Sequence, residues 1–237
     1  LRAFVKQIWV SPARDTELSG REHVLPTGHM HLVFRLSGPA LRVYAGAQDE
    51  LGQTFASAVV GGVRSGHYVR ARSGGGITVG AQFLPSAAQH LFGVSAEELS
   101  ERHTALSELW GTHAELALEQ LACASEPVHQ ASVLEALLLA RLPRVHGMHP
   151  ALAPALQALA QHGRVDDARA KSGYSHRGFI ALFKQAAGVS PKRYARLQRF
   201  QRLLSALDSG VATSHGELAL DLGYSDQAHM CREFREF

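Results

Sequence analysis

Over the first 84 residues, apolar positions come in short runs rich in β-branched and aromatic side chains, at 4–10, 31–36, 41–44 and 77–84. Clusters of small or turn-forming residues separate them: Ser37-Gly38-Pro39, Gly61-Gly62, and Ser73 through Gly76. Runs of this length between turn residues predict β-strands, and several at such spacing predict a small sandwich or barrel. The pattern changes at Pro85. From Ser86 to Leu142 apolar residues recur at helical spacing (Leu106, Leu109, Trp110, then Leu134, Leu137, Leu138), with a break at Pro127. Pro143, Gly147 and Pro150 end the pattern, because proline and glycine stop helices on both sides. Residues 143–150 are therefore expected to be a linker between a domain over 1–142 and another over 151–237. Beyond it the predicted elements are all helical, at 152–161, 166–172, 175–187, 191–208, 216–222 and 226–236. The expected class is α+β, a β-rich N-terminal domain with appended helices followed by an all-α domain.

An internal repeat organises the helical part. Gly173-Tyr174-Ser175 recurs as Gly223-Tyr224-Ser225, each between two short predicted helices. Glycine supplies a left-handed C-cap and serine an N-cap, so each copy reads as helix, tight turn, helix. After the turns, Phe179 and Phe183 in the first copy and Met230 and Phe234 in the second are spaced to face inward, one residue later in the second copy. Between the copies, Ser190-Pro191 is an N-cap with proline at the first helical position. It opens a long helix with an apolar stripe (Tyr194, Leu197, Phe200, Leu203, Leu204, Leu207) and cations outside it. Such a helix sets two readers at a fixed separation, and adjacent major-groove faces of DNA are ~34 Å apart.

Charge supports that reading. Residues 1–148 carry 12 Lys and Arg against 13 Asp and Glu, whereas residues 149–237 carry 12 against 8. Within 164–202 there are 10 basic residues against Asp166 and Asp167 alone, the footprint expected for a polyanionic partner. No apolar run approaches the ~20 residues of a membrane span, and Leu1 opens no signal-peptide pattern. Cys123 and Cys231 are too far apart in sequence for a CxxC motif or a disulfide framework, which suits a reducing cytoplasm.

The repeat and its surroundings resemble the AraC/XylS family of transcription regulators. The resemblance rests on Gly173-Tyr-Ser-His-Arg, Leu182-Phe183-Lys184, Gly188-Val189-Ser190-Pro191-Lys192-Arg193-Tyr194 and Arg199-Phe200. It rests equally on 217–227 (Glu-Leu-Ala-Leu-Asp-Leu-Gly-Tyr-Ser-Asp-Gln) and Arg232-Glu233-Phe234-Arg235. It covers about residues 150–237, and the N-terminal part more faintly resembles the cupin-like sensing domain of such regulators. The family pattern continues beyond Phe237 with a Gly…Pro segment and a further helix. Arg169 stands where the family usually has a small residue four before the turn glycine; Ala219 fits in the second unit. The resemblance implies double-stranded DNA as partner, RNA polymerase as a second, a small-molecule effector and a homodimer. It implies base contacts from Arg177, Ala228, His229 and Arg232, with His176 and Gln227 beside them. Lys184, Arg193 and Arg196 are expected to meet phosphates or to be simply solvated. The first reading helix then offers Gly178, Ile180 and Ala181, so sequence discrimination is expected to rest on the second unit.

In the N-terminal domain an apolar cavity under the β layer is expected, with His29, His31, Phe34 and Phe83 as pocket residues. His29 and His31 share one face of a predicted strand. Metal-binding cupins add a Glu three or four residues on, but Arg35 stands there, so no metal or other cofactor is expected. Trp110, Phe55 and Phe92 suit core packing better than a cavity. No GxSxG, Walker or Rossmann motif occurs, and the chain is not expected to be an enzyme. Two other classes stay open on the sequence: a metal-dependent cupin-type enzyme fused to a DNA reader, and a protein-interaction module.

Overall fold

The computed structural model describes residues 1–13, 20–46, 48–72, 75–142, 148–161, 164–210 and 214–237. Most of the expected linker, residues 143–147, lies outside them. Among the described residues nine strands form two antiparallel sheets. The larger runs β1 (Val5–Ser11), β8 (Thr78–Phe83), β3 (Met30–Arg35), β6 (Ala58–Gly61), β9 (His103–Ala105). The smaller runs β2 (Arg21–Val24), β7 (Tyr68–Ala71), β4 (Leu41–Tyr44), β5 (Gln53–Phe55). β1, β3, β4 and β8 are the four strands expected. β9 lies inside the stretch read as helical.

Alternation along β3 decides what each face of the larger sheet does. Met30, Leu32 and Phe34 are buried on one side, while His31, Val33 and Arg35 are half-buried on the other. The Phe34 face, with Val79, Ala81 and Phe83, packs on five helices: α1 (Ala87–Phe92), α2 (Ala96–Leu99), α3 (Leu106–Trp110), α4 (His113–Cys123) and α5 (Pro127–Arg141). Trp110 belongs to this core; its Nε1 donates to the Leu91 carbonyl at 2.9 Å and Arg141 covers its ring. The opposite face looks across at the smaller sheet.

The C-terminal helices are α6 (Leu152–Ala160), α7 (Val165–Ser172), α8 (His176–Ala187), α9 (Pro191–Asp208), α10 (His215–Asp221) and α11 (Gln227–Glu236). α9 has the expected bounds: Ser190 caps it by accepting from the Arg193 amide, and Pro191 fills its first position. The halves of the chain do not have separate cores. One apolar cluster runs from Leu32 and Phe83 through Leu99 to Phe179, Phe183, Leu197 and Phe200. A smaller one, Leu203, Ala219, Tyr224 and Met230, stands apart around α10 and α11.

Candidate nucleic-acid interface and ligand cavity

Both turns form as the repeat requires. Gly173 and Gly223 adopt positive φ (73° and 81°), where a side chain would be strained, and a second helix follows each. The caps differ. Ser175 caps α8, accepting from the Gly178 amide at 3.2 Å. In the second unit the cap is Asp226 rather than Ser225: its Oδ1 accepts from the His229 amide at 2.6 Å, and Ser225 instead bonds to the His229 ring. This shift explains the offset in the apolar pattern. Counted from the cap, Phe179 and Met230 are both the fourth residue and both are buried. His176 then corresponds to Gln227, Arg177 to Ala228, Gly178 to His229, and Ala181 to Arg232.

His176, Arg177, Gln227, Ala228 and Arg232 are exposed, as base contacts would require. His229 is half-buried, with its Nδ1 engaged by Ser225. Phe234, expected to face inward, is 41% exposed and lies against the Phe200 ring; Glu233 takes the buried place beside it, at 3%. In the first unit Ala168, one residue before Arg169, fills the small-residue position and is buried.

The three expected phosphate contacts are committed elsewhere. Lys184 lies 3.3 Å from Glu97 of α2. Arg193 bonds to Glu236 and to the Ser65 carbonyl. Arg196 pairs with Glu233 and Glu236, and Arg199 donates twice to Glu233. Burial would raise the Glu233 carboxyl pKa, but Arg199 and Arg196 outweigh it and hold it below the usual range. Glu236 is drawn down to about 2, chiefly by its hydrogen bond from Arg196. Sequence reading missed this lattice, because its partners lie 34 to 43 residues apart in the chain.

A cavity of about 550 Å³ opens between the sheets. Of the four residues expected at an effector pocket, His29 and His31 line this cavity and Phe34 and Phe83 do not. Both phenylalanines point from the opposite face of the sheet into the helix-covered core, at 0% and 1% exposure. The cavity is also less apolar than expected. Trp9, Val33, Leu41 and Val59 supply apolar wall, and Arg35, Arg64 and Arg70 supply charge. Trp9 lies flat over Gly80, where a Cβ would come within 2.3 Å of its ring. Gly61 pairs with both His31 and His103 and leaves the space between their side chains open. Desolvation and the charge of Lys6 lower the His31 pKa to about 4. Desolvation and Arg64 lower that of His103 to about 3, so both rings are neutral near pH 7.

The cavity rim touches the long helix. Gln201 of α9 donates to the Pro26 carbonyl at 2.7 Å, and Pro26 lines the cavity. On the other side, Ser65 follows the cavity residue Arg64 and holds Arg193, while the His67 amide takes the Phe237 carbonyl at 2.8 Å.

Residues 156–237 match the model of a helix-turn-helix domain, and residues 1–105 that of a domain of unknown function, DUF6597. No curated protein matches the chain. Among solved structures, ToxT from Vibrio cholerae aligns over 99% of this chain and 94% of its own, at 10% identity and a TM-score of 0.48. ToxT of strain O395 bound to (E)-4-(8-methylnaphthalen-1-yl)but-3-enoic acid aligns over the same shares, at 9% identity and 0.49. Unsaturated fatty acid-bound ToxT of strain SCE256 aligns over 98% and 90%, at 9% and 0.47. Two helix-turn-helix units in tandem, together with the domain match, define a DNA-binding transcription regulator. Residues 156–237 carry a helix-turn-helix domain of AraC type.

Proposed function

We propose that this regulator reads duplex DNA mainly through α11 and takes its signal from a small molecule in the cavity between the sheets. The observation that carries the second half is the pair of links from cavity rim to α9, at Pro26 and at Ser65. A ligand that moves either segment bears on the helix that spaces the two readers. Bound ligands named for ToxT make a small-molecule effector a natural expectation here. In α11, Gln227 and Arg232 offer side-chain hydrogen bonds to base edges, with His229 contributing its remaining ring nitrogen. In α8, His176 and Arg177 do so, and Ala181 stands where the second unit has Arg232. The exposed Lys192, Lys171 and Arg164 replace Arg193 and Arg196 as the phosphate-facing cations. Homodimerisation and contact with RNA polymerase belong to the same reading, through the family resemblance.

The test is fluorescence anisotropy of the full chain on a duplex selected from a random pool. Affinity is expected to fall by roughly 10³ or more between 50 and 200 mM salt if about six phosphates are neutralised. A flat salt response would instead mark the helical repeat as a protein-binding module. Gln201→Ala should leave affinity for the duplex in place and blunt its response to effector.

A further inference from the structure

The charge inside the cavity points to the chemistry of its ligand, given the effector-sensing reading above. Three arginines from separate segments line it: Arg35 on β3, Arg64 after β6, and Arg70 on β7. Among the described lining residues Glu22 is the one carboxylate, and it is already engaged, 2.6 Å from Arg70 and 4.0 Å from Arg72. The Arg35 side chain makes no hydrogen bond or ion pair with any described residue. Burial, and Arg70 beside it, press its pKa below the ordinary guanidinium value. Arg64 gives Nη2 to the His103 ring at 3.0 Å and lies over Tyr68, yet its Nε is enclosed with no partner. The neutral rings of His31 and His103 supply no countercharge.

Enclosing guanidinium groups without a matching anion is unfavourable, and so is leaving a buried donor unpaired. A fold tolerates that arrangement where a ligand completes it. We propose that the cavity is a receptor for a small organic anion, whose carboxylate or phosphate lies on Arg35 and beside the Arg64 guanidinium. Its apolar body lies against Trp9, Val33 and Val59. The fork of an arginine suits both oxyanions, so the acid group itself is left to experiment. Arg70 stays with Glu22 and closes one end.

The experiment is a thermal-shift screen of the full chain against a library built in matched triplets. Each apolar skeleton is present as its carboxylate, its phosphomonoester and its uncharged amide. Stabilisation is expected from members of one anionic arm and not from the corresponding amides, since a ligand bound by the folded state raises apparent stability. In Arg35→Leu, affinity for the anionic hits should fall at least tenfold, while its melting temperature without ligand should match or exceed that of the parent. If Arg35→Leu does not fold, Arg35→Gln carries the same expectation. Amides that stabilise as often as acids would overturn the anion assignment and leave effector sensing standing. A screen in which no arm stabilises the protein, while duplex binding persists, would overturn both.

Discussion

The two helix-turn-helix units share one geometry and sit in different mechanical settings. In each, the first buried residue of the second helix is the fourth after the cap. Beyond that they diverge. The first unit is fused to the N-terminal half: Phe179 and Phe183 join the core that contains Leu32 and Leu99, the Ser86 amide bonds to the Ala186 carbonyl at 2.7 Å, and Lys184 reaches Glu97. The second unit packs a small apolar cluster on Leu203 of α9, is held there by arginines closing on Glu233 and Glu236, and meets the N-terminal half at its end, where the His67 amide donates to the Phe237 carbonyl. Polarity divides past the second residue of each reading helix, where α11 carries His229 and the exposed Arg232 and α8 has Gly178 and Ala181. A unit built into the larger core suits holding; one joined through a small cluster and ion pairs suits reading.

The largest effect should come from cutting the shared core. Sequence alone predicts that a fragment without residues 1–148 stays soluble and binds DNA. The continuous cluster predicts otherwise, because several large side chains, each worth ~1.5–3 kcal/mol when buried, lose their cover. The fragment is expected to lose cooperative melting by circular dichroism in α7 and α8. A fragment that melts as sharply and as high as the full chain would erase the difference between the units. Next comes Glu233→Ala, which removes the buried carboxylate that Arg196 and Arg199 share and leaves them Glu236 and the Gly223 carbonyl. Removing one partner of a buried ion pair costs ~3–5 kcal/mol, and these arginines are about a fifth exposed, so about 3 kcal/mol is expected in urea denaturation.

Acid separates the halves further. His29 and His31 titrate near 4 and His103 near 3 in the folded protein, against 6.5 unfolded. From pH 6.5 downward the unfolded chain binds more protons, so stability falls as pH drops toward 4. Each histidine contributes up to ~1.4 kcal/mol per pH unit within that window. The loss should begin in the sandwich, whereas the Glu233 and Glu236 pairs give up stability only from the ordinary carboxylate value of 4.5 downward. Amide exchange at pH 5.5 that opens both regions together would count against this order. Lys184→Ala should do least, at less than about 1 kcal/mol, since its pair with Glu97 is solvent-exposed on both sides.

Helices were legible in sequence where punctuation and period agreed. Ser190-Pro191 and the stripe from Tyr194 to Leu207 give α9 its full extent, and the Gly-Tyr-Ser repeat locates both turns. β2, β5, β6, β7 and β9, three or four residues long, were not legible; β4 is equally short, but its alternation after Ser37-Gly38-Pro39 marks it. β2 (Arg-Glu-His-Val) and β5 (Gln-Thr-Phe) are mostly polar besides. The cavity was half legible. Strand period two puts Arg35 on the His31 face, a signal that also removes Phe34 from the cavity. Arg64 and Arg70 reach it from elements the sequence did not reveal. The arginines of α9 looked free because their carboxylates approach only through tertiary packing.

The central claim is that the second unit carries discrimination. It is tested by titrating Arg232→Ala and Arg177→Ala against a selected operator and a scrambled duplex, each at two salt concentrations. Arg232→Ala is expected to cost about 1–3 kcal/mol on the operator and little on the scrambled control, relaxing preference at one base position. If Arg232→Ala weakens both duplexes alike while Arg177→Ala weakens only the operator, the first unit is the reader and the assignment is reversed.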